Sequence, residues 1–345
     1  MLKSAKKEEK TMKRFISLLL VFVMILCSGV SALAMGRQEG LESLQTQFTY
    51  GEGPEVNGYK LDYRYFSPVK ENDSVKYPLV VWLHGMGEGA YEGKQVINNN
   101  IAYWTSDEFQ ARFENAGGAF IIAPRSPEED RMYWEDSLIE VVRATIDAFI
   151  AENAENIDIT RIYVGGFSMG GKMTLKMAVA YPEMFAAAFP ICPAWQPDAD
   201  YIECLSDMPI WLTSGKLDPL VNYSGSVVPT WNAIVEASNV KDNLRFSTLS
   251  KVCYPDGKRT TSSHHSWFAV NYDMFSIENG DYPHMKTVGA DGNEIKLIYP
   301  NGMISWLSGF TVEYDGTPIE GTGNIDITRK GNTGSLLDNI ISAIK

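Results

Sequence analysis

Short β-rich runs alternate with longer amphipathic stretches from about Tyr59 onward, and this alternation limits the fold more than any other feature of the sequence. The predicted strands are, in chain order, 61–69, 78–83, 119–123, 162–165, 186–191 and 209–213. Helices are predicted over 138–149, from apolar residues at helical spacing, and over 172–181. This order predicts an α/β fold with a mostly parallel central sheet and helices on both faces.

The first 34 residues have the pattern of a signal peptide. Lys13 and Arg14 precede the apolar run 15–27, and the small residues of 31–34 form a cleavage signal. An uncleaved anchor is the alternative, but the apolar run is short of the roughly 20 residues that cross a bilayer. A lipid anchor at Cys27 is a further alternative, disfavoured by the bulky Leu26. We expect a secreted, extracellular protein without stable membrane insertion after cleavage.

The rest of the chain divides into two predicted regions. Residues 35–58 are predicted to be the N-terminal leader of the mature chain, and 59–345 a single catalytic-sized domain. Its end is a loop-rich extension from about residue 279, with a short terminal helix predicted over 335–344. Hydrophobic residues make up 45% of the sequence and the net charge is −13, which excludes a disordered chain and disfavours a nucleic-acid partner. The sequence makes no prediction of the oligomeric state.

Three cysteines follow the predicted signal peptide: Cys192, Cys204 and Cys253. An odd number cannot form a complete disulfide framework; a Cys192–Cys204 bridge is favoured weakly, and buried thiols are an equal alternative. No Cys-x-x-Cys pair suggests zinc, and the Asp- and Gly-rich end lacks the spacing of an EF-hand loop. The sequence therefore predicts neither a metal nor a cofactor.

The sharpest motif is the pentapeptide Gly166-Phe167-Ser168-Met169-Gly170, which has the form G-x-S-x-G. Small flanking residues allow a serine to sit on a tight strand-to-helix turn with its hydroxyl projecting from the sheet. The pentapeptide lies between a predicted strand and a predicted helix, as this chemistry requires. Ser168 is therefore predicted to be a nucleophile, the alternative being an ordinary glycine-rich turn.

A serine nucleophile needs a base and a carboxylate that orients the base. In hydrolases of this architecture the chain order is Ser, acid, His, which excludes His84 as the base. Asp218 is the favoured acid because it lies just past a predicted strand end, where such sites assemble. Weaker alternatives are Asp198, Asp200 and Asp207, and the candidate bases are His264, His265 and His284.

An anion site for the tetrahedral intermediate is predicted in the turn His84-Gly85-Met86-Gly87, which follows a strand. The backbone N–H of Met86 and that of Met169, directly after the nucleophile, are the predicted oxyanion donors. His84 is predicted to brace this turn rather than to take part in the chemistry.

With these motifs assembled, the chain resembles the α/β-hydrolase superfamily, and within it secreted bacterial esterases similar to polyhydroxybutyrate depolymerases and feruloyl esterases. The matching motifs span residues 79 to 267 and include Ile122-Ala123-Pro124-Arg125, Gly215-Lys216-Leu217-Asp218-Pro219 and His264-His265-Ser266-Trp267. In this family the catalytic histidine often stands in a His-x-Ser-Trp or His-x-Trp context. The first form favours His264 and the second His265; we choose His264.

The resemblance implies a serine carboxylesterase that acts through an acyl-enzyme, on acylated plant polysaccharide fragments or related small-molecule or oligosaccharide esters. Trp134, Trp195 and Trp267 fall in or near predicted loops and are candidates to stack on the substrate, the alternative being ordinary packing. A prolyl oligopeptidase-like peptidase shares these motifs and is one alternative function. A catalytically inactive protein that binds carbohydrate or a partner is another.

Overall fold

The computed structural model describes residues 44–70, 74–90, 93–97, 101–114, 116–127, 134–253, 260, 262–273, 284–297 and 302–313. Nine strands form one sheet: β1 (Thr49–Val56), β2 (Tyr59–Phe66), β3 (Tyr77–Leu83), β4 (Phe120–Pro124), β5 (Ile157–Phe167), β6 (Ala187–Ile191), β7 (Trp211–Gly215), β8 (Arg245–Leu249) and β9 (Met285–Val288). The helices are α1 (Lys94–Ile97), α2 (Asp107–Gln110), α3 (Ile139–Glu152), α4 (Met169–Ala180), α5 (Ala199–Glu203), α6 (Val228–Ala237), α7 (Trp267–Asn271) and α8 (Met303–Ser308).

The strand order is β1-β2-β4-β3-β5-β6-β7-β8-β9. The six strands from β4 to β8 are mutually parallel, whereas β1, β2 and β9 join the two edges in antiparallel pairs. The chain runs from β3 to β4 on one side and then returns to place β5 on the other side of β3. This reversal makes the carboxyl ends of β3 and β5 a topological switch point, the place where ligands bind in open α/β sheets.

Helices cover both faces of the sheet. Phe149 of α3 packs edge-on against Phe120 on one face, and Trp306 of α8 packs edge-on against Trp211. Strand register places Trp211 on the face opposite Phe120. On the Trp211 face a Cβ at Gly165 would overlap the Phe189 ring, so a glycine is needed there. The predicted α/β architecture is confirmed.

The structure extends the sheet beyond the strands that the sequence predicts. β1 lies within 35–58, the region predicted as a leader, and β9 lies in the extension predicted as loop-rich. The sequence pattern did not predict β1, because the strand contains Gly51, Gly53 and Pro54. Gly53 lies so close to Thr145 of α3 that a Cβ there would stand 2.5 Å from the threonine hydroxyl oxygen. The predicted signal peptide and the predicted helix over 335–344 lie outside the described residues.

All three cysteines that follow the predicted signal peptide are free thiols. The favoured Cys192–Cys204 bridge is therefore wrong, and the alternative of unbridged thiols holds. Cys192 is buried at the carboxyl end of β6, whereas Cys204 is half-buried at the end of α5, with its sulfur 3.6 Å from the carbonyl oxygen of Asp200. In the part of the chain that the structure describes, no helix combines the length and apolarity needed to cross a membrane.

Asp273 joins three segments of the chain behind the sheet edge. Its buried carboxylate accepts from Arg112 Nη1 at 2.8 Å and from the backbone N–H of Met303, the first residue of α8, at 2.6 Å. A Cβ at Gly302 would overlap this carboxylate. Burial raises the pKa of Asp273 and the Arg112 guanidinium opposes that shift, so the carboxylate depends on its partners to remain charged.

We expect Asp273→Ala to lower the free energy of unfolding by about 3–5 kcal/mol, because it leaves a buried guanidinium without this partner and uncaps α8. Asp273→Asn retains an acceptor for Met303 and should cost less. Chemical denaturation measures both, with the exposed Glu203→Ala as control, expected within about 0.5 kcal/mol of the unsubstituted protein. A loss below 1 kcal/mol in Asp273→Ala would contradict a stabilising role.

Candidate active site

The turn between β5 and α4 holds Ser168 in a strained conformation. Its φ of 58° and ψ of −111° lie outside the regions that non-glycine residues favour. Its N–H donates to the Ile191 carbonyl at 2.9 Å, and its carbonyl accepts from the N–H of Lys172 and of Ala194. Strain of this kind costs about 1–3 kcal/mol and persists at functional sites.

Two glycines of the pentapeptide allow this turn to pass close to β3. A Cβ at Gly166 would stand 2.5 Å from the Leu83 carbonyl oxygen, and one at Gly170 would overlap the same atom. The G-x-S-x-G spacing is therefore a packing requirement of a turn wedged against the neighbouring strand. It places Ser168 directly after the carboxyl end of β5, close to the end of β3.

The structure brings Asp218 and His264 together at the same edge of the sheet. Asp218 follows β7, and its Oδ2 lies 2.7 Å from His264 Nδ1, with the carboxylate fully buried and the imidazole 8% exposed. The second oxygen, Oδ1, accepts from the N–H of Leu220 at 2.8 Å and of Val221 at 3.0 Å. These bonds fix the carboxylate, which in turn orients the ring with Nδ1 towards Asp218 and Nε2 away from it.

The His264 ring lies beside the nucleophile turn. Its centroid is 4.7 Å from that of Phe167, the residue directly before Ser168. Burial alone would lower the pKa of His264, but the Asp218 carboxylate outweighs it and holds that pKa well above its ordinary value. The Asp218 carboxylate therefore stabilises the protonated form of an imidazole that packs against the residue preceding Ser168.

The model of the protein family described as phospholipase/carboxylesterase matches residues 66–228, a segment that contains Ser168 and Asp218. The putative esterase NocK of Nocardia uniformis subsp. tsuyamanensis is 26% identical over 148 residues, 43% of this chain and 42% of NocK. The crystal structure of a thermostable esterase superposes with a TM-score of 0.57 at 28% identity, covering 67% of this chain and 61% of that one. The chain has the α/β-hydrolase fold. It spans less than two thirds of the length of either relative.

His265, the alternative candidate base, is 5% exposed and lies in a different environment from His264. Its ring lies 6.3 Å from that of Trp267 and 6.4 Å from that of Phe268. Burial and the neighbouring His264 lower the pKa of His265 to about 4, so it stays neutral at pH 7. The geometry favours His264 over His265 as the partner of Asp218.

Two of the weaker candidates for the acid, Asp198 and Asp207, have hydrogen-bond partners elsewhere. Asp198 caps α5 by accepting from the N–H of Tyr201, and Asp207 accepts from Asn239 Nδ2 at 3.0 Å. Asp200 lies in the first turn of α5. The carbonyl of His284 accepts from the backbone of Ser250, which places His284 directly before β9.

The turn that carries Met86 is braced from both sides. His84 is fully buried; its Nδ1 lies 2.7 Å from the Gly85 carbonyl and its Nε2 accepts from the N–H of Ser126 at 3.0 Å. Burial lowers the pKa of His84 to about 4, so its ring is neutral with the proton on Nδ1. The N–H of Gly85 donates to Glu88 Oε2 at 2.9 Å. Glu88 is a bracing residue that the sequence analysis missed, although its place in a glycine-rich turn marks it.

The predicted oxyanion donors follow the carboxyl ends of two adjacent strands. Met169 begins α4 directly after Ser168, and Met86 follows the adjacent strand β3. A Cβ at Gly85 would stand 2.7 Å from the Phe167 ring, so the Met86 turn packs against the nucleophile turn. Met86 and Met169 therefore lie in segments that pack against each other, and the role of their N–H groups as oxyanion donors stays a prediction.

The three tryptophans predicted to stack on substrate are buried, each at most 2% exposed. Trp134 Nε1 donates to the His84 carbonyl at 2.9 Å, Trp195 lies edge-on to Tyr201, and Trp267 stacks on Phe268. The three rings are covered by neighbouring residues and have no face open to a substrate. The stacking role is therefore corrected to the alternative of ordinary packing, and Trp134 helps to hold the turn that begins at His84.

The described residues contain one cluster with metal-ligand chemistry. Cys192 Sγ, an Asp218 carboxylate oxygen and a His264 ring nitrogen lie within 4.8 Å of one another. The sequence predicted Cys192 only as a disulfide partner or a buried thiol, without a place near the site. Its position directly after β6, one strand from β5, is the signal that places it near the site.

Proposed function

We propose that this α/β-hydrolase is a secreted carboxylesterase with Ser168, His264 and Asp218 as its catalytic triad. The observation that carries the proposal is the 2.7 Å contact between Asp218 and His264 at the sheet edge where Ser168 sits on a strained turn. The family match and the esterase relatives support the same reaction class.

In the proposed reaction Ser168 Oγ attacks the ester carbonyl carbon while His264 Nε2 takes the hydroxyl proton. The N–H groups of Met86 and Met169 hold the negative oxygen of the tetrahedral intermediate. His264 then returns the proton to the leaving alcohol, and the acyl group remains on Ser168. A water molecule repeats the sequence, so the products are an alcohol, a carboxylic acid and free enzyme. No metal or cofactor enters any step.

The proposed substrates are acylated plant polysaccharide fragments or related esters. Support comes from the resemblance to polyhydroxybutyrate depolymerases and feruloyl esterases, and from the signal-peptide pattern, because export suits substrates too large to import. Protein recovered outside the producing cells is expected to begin directly after Ala34, and N-terminal sequencing tests that.

The test of the proposed activity is a panel of p-nitrophenyl acetate and butyrate, methyl ferulate, acetylated xylan and a peptide anilide. Each is assayed before and after treatment with a fluorophosphonate, which blocks a nucleophilic serine. Ester turnover that the reagent abolishes supports the esterase, and the ranking names the acyl class. Cleavage of the anilide alone supports the peptidase, and a folded protein inert on all five supports the binding protein.

The pH dependence of turnover follows from the Asp218–His264 pair. His264 must be neutral to take the proton from Ser168, and its raised pKa delays that state to higher pH. We expect kcat/KM to fall as the pH is lowered through an inflection above 6.5, the ordinary histidine value. Asp218→Asn removes the charge that raises the pKa and should move the inflection down. An inflection below 6.5 in the unsubstituted enzyme would contradict the assignment.

A further inference from the structure

Residues 191–194, the last residue of β6 and the three that follow it, contact the backbone on both sides of Ser168. The Ile191 carbonyl accepts from the N–H of Ser168 at 2.9 Å, and the N–H of Ala194 donates to the Ser168 carbonyl at 3.1 Å. A Cβ at Gly171 would stand 2.7 Å from the same Ile191 carbonyl oxygen, so α4 also begins against this segment. Residues 191–194 thus clamp the peptide units that hold Ser168 in its strained conformation.

Cys192, inside this segment, also contacts the chain that carries the imidazole. Its Sγ lies 3.5 Å from the His264 carbonyl oxygen, to which the thiol donates, and accepts from Ser266 Oγ at 3.3 Å. Its backbone N–H donates to the Thr213 carbonyl on β7, the strand that leads to Asp218. One residue therefore touches the segments that hold the acid and the base, and its neighbours hold the nucleophile.

The backbone of Cys192 is itself strained. Its φ is 34°, in the region that favours glycine, and its side chain is fully inaccessible to solvent. Burial raises the pKa of its thiol, so the sulfur stays protonated and adds no charge beside the Asp218 carboxylate. A neutral, polarisable group of this size fills the space behind the ion pair and makes directed contacts without competing for the imidazole proton.

We propose that Cys192 is a positioning residue that holds the His264 segment in register with Ser168 through its contacts to the His264 carbonyl and to Ser266. The proposal rests on the proposed function, because His264 and Ser168 are the groups it aligns. Such a residue acts on the geometry of the reacting groups and leaves substrate binding largely unchanged.

Four variants test the role. Cys192→Ala removes both side-chain contacts and keeps the backbone strain, whereas Cys192→Gly removes the contacts and relieves the strain. Cys192→Ser keeps a donor and an acceptor at the same place. Cys253→Ala is the matched control, since Cys253 is also a buried free thiol and lies outside the proposed site.

We expect kcat to fall about tenfold in Cys192→Ala and in Cys192→Gly with KM changed less than about twofold, because small misplacements of reacting groups cost turnover. Cys192→Ser should recover most of the loss, and Cys253→Ala should stay within about twofold of the parent. Equal kcat losses in Cys192→Gly and Cys253→Ala, or a loss carried wholly by KM, would overturn the proposal. If the alanine variant fails to fold, the glycine variant carries the test.

A second measurement does not depend on turnover. The proton between His264 Nδ1 and Asp218 is expected to give a strongly downfield proton NMR signal, to be identified by its absence in His264→Gln. In Cys192→Ala and Cys192→Gly we expect this signal to shift or to broaden through faster exchange with water, and in Cys253→Ala to stay unchanged. An unchanged signal in both Cys192 variants overturns the positioning role. An inert parent enzyme with a responsive signal instead overturns the esterase proposal alone.

Discussion

Ser168→Ala is expected to lower kcat/KM for the best ester by at least about 10³-fold, because it removes the atom that forms the acyl-enzyme. The variant should fold as the parent does, since alanine keeps the backbone bonds of Ser168 to Ile191, Lys172 and Ala194. Residual activity would come from the oxyanion hole and from binding alone. Initial rates with the best ester of the panel measure the loss.

The matched control for this prediction is Ser226→Ala. Ser226 is 1% exposed, and its buried hydroxyl has no hydrogen-bond partner in the part of the chain that the structure describes. Its replacement should change kcat/KM by less than about twofold. Retention of more than a tenth of the activity in Ser168→Ala would exclude Ser168 as the nucleophile. Labelling of the parent by a fluorophosphonate at a different serine would do the same.

The second large effect is expected at His264. His264→Gln should lower kcat by about 10³–10⁴-fold, because glutamine cannot accept the serine proton. The Gln side chain still offers an N–H to the buried Asp218 carboxylate, which limits the cost to folding. Steady-state kinetics on the purified variant, with its melting temperature checked, measures this loss.

The adjacent histidine supplies the comparison. His265→Gln changes the same residue type at the next position, where the ring faces Trp267 and Phe268 instead of Asp218. We expect kcat to fall no more than a few-fold, with any larger effect appearing as lost stability of this buried position. A reversal of the two results, with His265→Gln inactive and His264→Gln active, would assign the base to His265.

Much of the parallel core was predictable because its strands are continuous apolar runs. β3 was predicted over 78–83 and extends over Tyr77–Leu83; β6 was predicted over 186–191 and extends over Ala187–Ile191. The helix predicted over 138–149 is α3, Ile139–Glu152. The two strands are fully buried and the helix buries one side. The apolar pattern in the sequence of each element therefore matches the place it occupies in the fold.

The strands that were missed have polar or small side chains whose partners are distant in sequence. β8 reads Arg-Phe-Ser-Thr-Leu, and its Ser247 is buried because it accepts from Trp211 Nε1 and shares a hydrogen bond with Thr287. β1 contains two glycines, one of which provides the space for Thr145. Neither pattern resembles a strand until the contacting residues are known.

The sequence by itself determined the strand–turn–helix around Ser168, because a strand, G-x-S-x-G and a helix are consecutive and their geometry is local. Only the tertiary structure decided which imidazole meets Asp218, since that contact spans 46 residues and adjacent residues present their rings to different environments. It also decided that Trp134, Trp195 and Trp267 are packed and that Cys192 is a free thiol behind the His264–Asp218 pair. Burial and pairing depend on what the rest of the chain brings alongside, and no local pattern encodes that.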